Sequence, residues 1–368
     1  MTSISVILPV YNVGPYIGDC IESLKRQTLQ DLEFIFVDDC SADNSIALAE
    51  DFARTDPRVR ILRNPKNMGA GPSRNRGIEA AKGDYLSFVD PDDRIAPDFL
   101  ELLYEAAVSS GADIAKGICV YMDEDGKTVD RPFRLIDRIR RGLDKGKPLY
   151  MVFTYEHWSA IYHKSLFENP DVRYGVTRHD QDTLFLLRAC SQTEKICLCD
   201  EAKYFFTRRK GSAMHRIAAD GWDDMAMFFE SLVDHLLEYP SDEVHQCDYV
   251  LKKLNVHLAR YYALKNDPRL KKDSPAYLER LRRSVLRLPY SGMVSQRSFS
   301  AAALLEYGAC LPNDVWALPW DRKPLSASFR LIWDHFLFAC AHPQLAFRCG
   351  GQILRLIIKL CRRLLQRK

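Results

Sequence analysis

Three carboxylates, those of Asp90, Asp92 and Asp93, directly follow the short apolar run Leu86–Val89. The apolar run is typical of a buried strand, so the acids would lie where that strand ends. Carboxylates this close repel one another unless a cation or full hydration offsets their charge. Their hard oxygen atoms suit Mg²⁺ or Mn²⁺, and such an ion can hold a diphosphate. The same residues would also fit an acidic turn before a helix that Asp98 caps.

Strand-like and helix-like patterns alternate around this acidic run. Strands are predicted at residues 3–10, 32–37, 59–62 and 85–89, and helices at 16–27, at 43–54 and up to residue 81. The alternation predicts an α/β fold with a Rossmann-like, mostly parallel sheet flanked by helices. Ligands bind such sheets beyond the carboxyl ends of the strands. Asn12, Asp39, Asp90 and Asp92 all fall at those ends, so we expect them at one edge.

The pattern changes beyond residue 98. The charged segment 123–148 predicts a loop or lid, or alternatively a solvated surface excursion. Around it we expect helices at 99–110 and 184–189, strands at 114–122, 196–198 and 204–206, and a mixed aromatic segment at 155–167. Later helices are predicted at 218–239, 243–265 and 275–288. We therefore expect a domain of residues 1–216, with halves 1–98 and 99–216, and a helical C-terminal region at 217–368.

Composition limits the classes of partner. The 368 residues carry a net charge of only +3, which does not indicate a nucleic-acid partner. The 11 cysteines include no CxxC pair and no framework spacing, as expected in a reducing cytoplasm. The first apolar run, Ile4–Val10, is too short for a signal peptide. No apolar run reaches the ~18 residues that a membrane span requires.

The end of the chain predicts a basic amphipathic helix at residues 351–368. Its basic side would carry Arg355, Lys359, Arg362, Arg363 and Arg367, opposite a side of Ile and Leu residues. Such a helix suits the anionic inner leaflet of a membrane. The protein would then be cytoplasmic and peripherally bound to the inner face of the plasma membrane. The helix could instead pack on its own domain or pair two copies in a homodimer.

A series of short motifs resembles family-2 nucleotide-sugar glycosyltransferases with the GT-A fold. The motifs are Ser5–Asn12, Gln27-Thr28, Val37–Asp39, Ser41-x-Asp43-x-Ser45, Asn67-x-Gly69, Ser73–Gly77 with Arg74 and Asn75, Gly83–Tyr85 and Phe88–Asp93. Their order and spacing carry the resemblance, which continues more weakly to about residue 216. It implies a GT-A domain with a nucleotide-sugar-binding half and an acceptor or catalytic half.

The resemblance implies a donor site at the first two strand ends. In the family, the residue at the position of Asp39 accepts hydrogen bonds from the nucleotide base, usually uracil. The backbone around Pro9, Val10 and Tyr11 would flank that base, and the Tyr11 ring could pack beside it. Arg74 could donate to ribose and phosphate oxygens. Asp39 could alternatively cap the following helix, and Arg74 could be a surface arginine.

The resemblance also implies a metal site in the Asp-x-Asp run. Asp92 would be the direct ligand of Mg²⁺ or Mn²⁺, and Asp90 would contact the ribose or the metal's water shell. Asp93 would lie behind them, and His215 could reach the metal or the phosphates. The metal would offset the charge on the departing nucleoside diphosphate.

A catalytic base is implied just before the apolar helix at 184–189. Family members usually have Glu-Asp there, and the alignment makes Asp182 the base, with Gln181 in place of the Glu. Asp180 could serve instead, or either aspartate could simply cap the helix.

Two further groups take their roles from the same resemblance. Arg208, Arg209 and Lys210 would belong to a basic loop that closes on the diphosphate, unless they form a solvated turn. Trp158 would lie near the acceptor sugar, although an isolated tryptophan is more often part of the core.

Taken together, the resemblance implies an inverting, metal-dependent hexosyltransferase-like enzyme. It would move a sugar from a nucleotide sugar, with UDP expected over GDP, to a hydroxyl of a glycan or lipid-linked glycan. Cell-surface polysaccharide, lipopolysaccharide and glycoconjugate synthesis are all compatible with it. A dehydrogenase would need a Gly-rich turn after the first strand, which is missing here. The remaining alternative is a non-catalytic nucleotide-sugar-binding or scaffold protein of the same fold, suggested by Gln181.

Overall fold

The computed structural model describes residues 2–123, 126–128, 135–153, 155–177, 180–208, 221–297, 301 and 304–305. The chain divides into two compact units, residues 1–216 and residues 217–368. No helix within these described ranges is both long and apolar enough to cross a membrane. The amphipathic helix expected at 351–368 lies outside the described residues.

A mixed sheet forms the centre of the first unit. Its strands are β1 (Ile4–Val10), β2 (Leu32–Asp38), β3 (Val59–Arg63), β4 (Tyr85–Phe88), β5 (Arg94–Ile95), β6 (Ile114–Met122), β7 (Ala160–His163) and β8 (Ile196–Thr207). In the described structure their order is β3-β2-β1-β4-β7-β6-β8-β5. The first four strands are mutually parallel, as predicted. In the other half, β7 is antiparallel to both β4 and β6, and β5 is antiparallel to β8.

Helices flank the sheet of the first unit and are the regular elements of the second unit within the described residues. The first unit contains α1 (Gly14–Lys25), α2 (Ser45–Thr55), α3 (Ala70–Ala80), α4 (Phe99–Ser110), α5 (Leu135–Leu143), α6 (Leu149–Val152) and α7 (Gln181–Cys190). The second contains α8 (Gly221–Glu238), α9 (Glu243–Leu264), α10 (Ser274–Leu286) and α11 (Ser291–Arg297). The three helices predicted after residue 216 are thereby confirmed as α8, α9 and α10.

The charged segment 123–148 is not the loop that its composition predicted, because it contains α5. Leu135, Ile136 and Ile139 are buried on one side of this helix. Apolar residues three and four positions apart share a helical face, and the many charged residues between them concealed that pattern.

The strands β1 and β2 are buried along their whole length, which explains why most of their residues are apolar. Helix α3 packs closely on β1, and a Cβ added at Gly77 would collide with the side chain of Ile7. The glycine of the Ser73–Gly77 motif is therefore required for helix–sheet contact.

The Ser41-x-Asp43-x-Ser45 motif joins the loops that follow β1 and β2. Asp43 Oδ2 accepts a hydrogen bond from the backbone N–H of Gly14 at 2.8 Å, and Ser45 Oγ accepts one from that of Val13 at 2.8 Å. The N–H of Ala42 donates to Asn12 Oδ1 at 2.8 Å. Helix α1 thus has its first N–H groups satisfied by the neighbouring loop. These motif residues shape the end of the sheet around the predicted donor site.

A fully buried lysine, Lys116 on β6, pairs with Glu156. Its Nζ lies 3.3 Å from Glu156 Oε2, and it also donates to the Gly117 carbonyl at 2.9 Å and to Ser159 Oγ. The two side chains are 0% and 4% exposed. Burial lowers the pKa of Lys116, and the charge of Glu156 opposes that effect. Removing one member of such a pair leaves a buried charge without its counterion.

Lys116→Met is therefore expected to lower the free energy of unfolding by about 3–5 kcal/mol. Urea unfolding would measure this loss. Lys164→Met is the matched control, because Lys164 pairs with Asp84 at 2.6 Å on the surface, where the two side chains are 54% and 44% exposed. An exposed pair contributes only about 0–1 kcal/mol. Equal losses in the two variants would contradict the prediction.

Candidate active site

The acidic run after β4 forms a compact cluster at the carboxyl end of the sheet. Among the described residues, oxygen atoms of Asp90, Asp92 and Asp93 lie within 4.8 Å of one another. Asp93 is buried, whereas Asp90 and Asp92 are partly exposed. Asp98 does occupy the N-cap position of α4, but its side chain makes no capping hydrogen bond. The three acids thus lie together because they follow the carboxyl end of β4, and not because they cap α4.

Asp93 connects the acidic run to β8. Its Oδ2 accepts a hydrogen bond from the Tyr204 hydroxyl at 2.8 Å, and its Oδ1 accepts one from the backbone N–H of Thr207 at 2.8 Å. The same hydroxyl accepts a bond from the N–H of Asp90 at 3.1 Å. Burial, and then the charges of Asp92 and Asp90, raise the pKa of Asp93 well above its usual range. Both oxygens of Asp93 are therefore hydrogen-bonded inside the protein, and these bonds fix the acidic run to β8.

Arg74 forms an ion pair with Asp90. Its Nη2 lies 2.6 Å from Asp90 Oδ1, and the two side chains are 6% and 22% exposed. The guanidinium also lies over the Tyr174 ring, 5.1 Å from its centroid. Burial would lower the pKa of Arg74, but Asp90, Tyr174 and Asp182 together raise it. The alternative of a surface arginine is wrong, because this cation is buried beside the acidic run.

Two carboxylates of the acidic run are suited to bind a divalent metal. One oxygen of Asp90 is engaged by Arg74 and both oxygens of Asp93 are bonded internally. That leaves Asp92, with Asp90, as the partly exposed carboxylates of the cluster. Mg²⁺ is usually held by one or two carboxylates together with water and substrate phosphates. The oxygen donors of Asp92 and Asp90 fit that requirement.

Asp39 is buried at the end of β2 and organises the loop that follows β3. Its Oδ1 accepts hydrogen bonds from Asn64 Nδ2 at 2.7 Å and the Met68 N–H at 2.8 Å. Its Oδ2 accepts one from the Gly69 N–H at 2.7 Å. The suggestion that Asp39 caps α2 is wrong, because the N-cap residue is Asn44. A carboxylate has about four lone-pair positions, so one remains to accept a bond from a base.

The other predicted donor residues surround Asp39. Pro9 and Val10 are buried in β1, and the carbonyl of Val10 accepts a hydrogen bond from the N–H of Asp39 at 2.8 Å. Tyr11 follows them with its side chain 49% exposed. An exposed tyrosine ring can pack against a flat heterocycle. Base binding by these residues stays a prediction.

The aspartates of the predicted base motif occupy the start of α7. Asp180 is the N-cap residue, with a left-handed backbone (φ 56°) and no side-chain capping hydrogen bond. Asp182 lies in the first turn, close enough to Arg74 for its charge to help raise the pKa of that residue. The charges of Asp182 and Asp90 therefore both raise the pKa of Arg74, and the role of Asp182 or Asp180 as the base stays a prediction.

The side chain of Gln181 packs against the start of α3. Its Oε1 is buried and has no hydrogen-bond partner among the residues that the structure describes. A Cβ added at Gly71 would collide with this atom and would lie 2.5 Å from the Gly175 carbonyl oxygen. Gln181 thus fixes the start of α7 against the start of α3, and the next residue is Asp182.

Gly71→Ala is therefore expected to displace Gln181 and to lower kcat by about 10–100-fold, since a shift of about 1 Å can cost that much. Steady-state kinetics would measure this loss, and donor affinity should change less. Gly18→Ala is the matched control, because a Cβ at Gly18 in α1 meets nothing within 4 Å. Equal kcat values in the two variants would contradict the role given to Gln181.

Arg208 follows β8 directly beyond the residue that Asp93 holds. Its backbone N–H donates to the Met122 carbonyl at 2.8 Å, and its guanidinium lies 4.8 Å from the centroid of the Tyr121 ring. The other members of the basic loop, Arg209 and Lys210, lie outside the described residues, as does His215. Phosphate and metal binding by these residues stays a prediction.

Trp158 is largely inside the core of the first unit. It is 9% exposed and stacks on Tyr204, with ring centroids 5.0 Å apart and an interplanar angle of 12°. Most of the Trp158 side chain is therefore part of the core, as the alternative interpretation expected. Contact between its small exposed part and an acceptor sugar stays a prediction. Sequence patterns gave no sign of Tyr204 itself, because its partners Asp90 and Asp93 are remote in the chain.

Comparisons with known proteins agree with this arrangement. The model of the family described as "Glycosyl transferase family 2" matches residues 5–169. Glycosyltransferase GlyG of Streptococcus pneumoniae is 30% identical over 64% of this chain and 81% of its own length. The "uncharacterized glycosyltransferase EpsJ" of Bacillus subtilis is 33% identical over 57% of this chain, which spans only 62% of EpsJ.

A solved structure shows the fold. The crystal structure of S. aureus TarS residues 1–349 in complex with UDP-GlcNAc has a TM-score of 0.64, covering 82% of this chain and 88% of that one at 21% identity. The mixed sheet with flanking helices is thereby the GT-A fold that the motifs predicted. Together with the match to GlyG, the family model shows that this chain belongs to glycosyl transferase family 2.

Proposed function

We propose that this protein transfers a sugar from a nucleotide sugar to a hydroxyl group of a glycan or a lipid-linked glycan. The observation that carries the proposal is that β4 and α7 both meet α3, the helix that carries Arg74. Asp90 at the end of β4 pairs with it at 2.6 Å, and Asp182 at the start of α7 acts on it electrostatically. A donor diphosphate and a catalytic base need to be placed in this way, close together on rigid elements.

UDP is the nucleotide that the neighbouring residues favour. TarS has been crystallised with UDP-GlcNAc and with UDP. In this chain Asp39 has capacity to accept one further hydrogen bond, which the imide N–H of uracil can donate. Tyr11 would pack beside the base, and Arg74 would place positive charge near the ribose and phosphates.

The proposed reaction is a single displacement at the anomeric carbon, which inverts its configuration. Asp182 accepts the proton of the acceptor hydroxyl while that oxygen attacks, and the bond to the nucleoside diphosphate breaks. General-base assistance of this kind contributes about 10²–10⁴-fold. Asp92 with Asp90 would hold Mg²⁺ or Mn²⁺, whose charge offsets that of the leaving diphosphate. Arg208, with Arg209 and Lys210, would donate to the phosphate oxygens.

The acceptor belongs, in this proposal, to cell-surface polysaccharide, lipopolysaccharide or glycoconjugate synthesis. Residues 351–368 would bind the inner leaflet, where lipid-linked glycans are extended. Vesicle co-sedimentation with and without anionic lipid would test that part of the proposal separately from the transfer reaction.

Release of nucleoside diphosphate from a panel of UDP- and GDP-sugars tests the proposed function. With Mn²⁺ or Mg²⁺ present, we expect release from one UDP-sugar, in the presence of a glycan acceptor, and loss of release on adding EDTA. Binding of donor and metal without turnover under all conditions would instead favour a scaffold protein. Failure to bind any nucleotide sugar would overturn the proposal.

A further inference from the structure

Tyr121 on β6 is in contact with a cation of the proposed diphosphate loop. Its ring centroid lies 4.8 Å from Cζ of Arg208, within the range of a cation–π interaction. The ring packs at 5.4 Å against Phe206, its cross-strand neighbour on β8, in an edge-to-face arrangement. Phe206 fixes one side of the ring, and the guanidinium covers another.

The hydroxyl of Tyr121 is held from inside the protein. It donates a hydrogen bond to Glu156 Oε1 at 3.2 Å, and the other carboxylate oxygen of Glu156 is 3.3 Å from Lys116 Nζ. Glu156 has a left-handed backbone (φ 62°), which non-glycine residues rarely adopt. The chain keeps a costly buried ion pair and an unfavourable backbone here, and both fix the acceptor of the Tyr121 hydroxyl.

The backbone at Arg208 is fixed independently of its side chain. Thr207 N–H donates to Asp93 Oδ1 at 2.8 Å, and Arg208 N–H donates to the Met122 carbonyl at 2.8 Å. Asp93 belongs to the acidic cluster, so these bonds place the Cα of Arg208 beside the proposed metal site. An arginine on a fixed backbone still has a flexible side chain, and ordering that side chain costs conformational entropy. The Tyr121 ring would reduce this cost by holding the guanidinium in place before the ligand arrives.

We propose that Tyr121 is a positioning residue, which orients the Arg208 guanidinium toward the diphosphate of the donor. The inference rests on the proposed function, since it assumes that a nucleoside diphosphate binds beside Asp92. Tyr121 would orient Arg208 in this way without touching the substrate itself. This role also gives the buried Lys116–Glu156 pair a purpose beyond stability, because that pair anchors the ring.

A double-mutant cycle tests the inference, with UDP and uridine as ligands in the presence of Mn²⁺. Calorimetry would compare the full-length wild type, Tyr121→Leu, Arg208→Ala and the double variant. We expect Tyr121→Leu to weaken UDP binding by about tenfold and to leave uridine binding unchanged. In the Arg208→Ala background the same change should cost nothing further, because the cation that the ring orients is gone.

Two controls separate this role from general destabilisation. Tyr121→Phe keeps the ring that contacts Arg208 but loses the hydroxyl that Glu156 holds, so its UDP affinity should lie between those of the wild type and Tyr121→Leu. Tyr104→Leu removes an aromatic side chain elsewhere in the same unit, from the edge-to-face pair of Tyr104 with Tyr85, and should spare UDP affinity even if it lowers the melting temperature. Thermal melts of every variant would accompany the binding measurements.

Three outcomes would be decisive against the inference. Losses that multiply in the double variant would show that Tyr121 acts independently of Arg208, and equal losses for uridine and UDP would show a structural effect. In both cases wild-type binding of UDP leaves the proposed function intact. A wild-type protein that binds neither UDP nor GDP would overturn the proposed function, and this inference with it.

Discussion

Asp182→Asn should lower turnover by about 10²–10⁴-fold while UDP affinity stays close to that of the wild type. Asparagine has the shape of aspartate but cannot take the proton of the acceptor hydroxyl. Asp182 lies in the first turn of α7, and its charge acts on Arg74. Loss of that charge removes one of three contributions to the pKa of Arg74, and the ion pair with Asp90 at 2.6 Å remains. The donor site should therefore persist in the variant.

Single-turnover kinetics with saturating donor would measure the chemical step, and calorimetry would measure UDP affinity. Asp180→Asn is the matched control, because it makes the same charge change two residues earlier, at the N-cap position. It should retain turnover to within a few-fold. A large loss of turnover in Asp180→Asn with full activity in Asp182→Asn would show that Asp180 is the base. Full activity in both variants would place the base elsewhere.

Local sequence patterns were sufficient for the parts of the site that lie at strand ends. The runs around Asp39 and Asp90 combine a buried apolar strand with acids immediately after it, and β2 and β4 do end there. Parallel strands bring their carboxyl ends to one edge, so the approximate position of these acids followed from topology. The family resemblance distinguished Asp92 from Asp93, and Asp93 is indeed the more buried of the two, whereas metal binding by Asp92 stays a prediction.

Contacts between remote residues could not be predicted. The hydroxyl of Tyr204 bonds Asp93 from 111 residues away, and no local pattern marks that tyrosine as a partner. The collision of a Cβ at Gly71 with Gln181 depends likewise on how α3 meets α7. Antiparallel β7 lies between β4 and β6 in the sheet, which the alternation of strands and helices did not indicate. Tertiary packing decides such features, and a single sequence carries no direct signal of it.

Asp92→Asn should lower donor affinity, metal dependence and turnover together. Loss of a carboxylate ligand weakens the binding of Mg²⁺ or Mn²⁺. Because the ion is proposed to hold the donor diphosphate, donor affinity should fall as well. Because such an ion contributes several kcal/mol of charge stabilisation, we expect kcat/KM to fall by about 10²–10⁴-fold. Titration of the variant with Mn²⁺ at fixed donor would reveal the weaker metal site directly.

Asp93→Asn, one residue further along, makes the same chemical substitution but should affect mainly stability and not the metal requirement. Asp93 accepts hydrogen bonds from Tyr204 and Thr207, and both would have to be remade with an amide that has one acceptor oxygen. An N–H or O–H left unsatisfied in the interior costs about 1–3 kcal/mol, so the free energy of unfolding should fall by about that amount. The concentration of Mn²⁺ that the variant requires should stay close to that of the wild type. If Asp93→Asn instead raised the Mn²⁺ requirement as strongly as Asp92→Asn, the buried carboxylate would have to be counted among the metal ligands. The support that β8 gives to the acidic run would then come from the hydrogen bond between the Asp90 N–H and the Tyr204 hydroxyl.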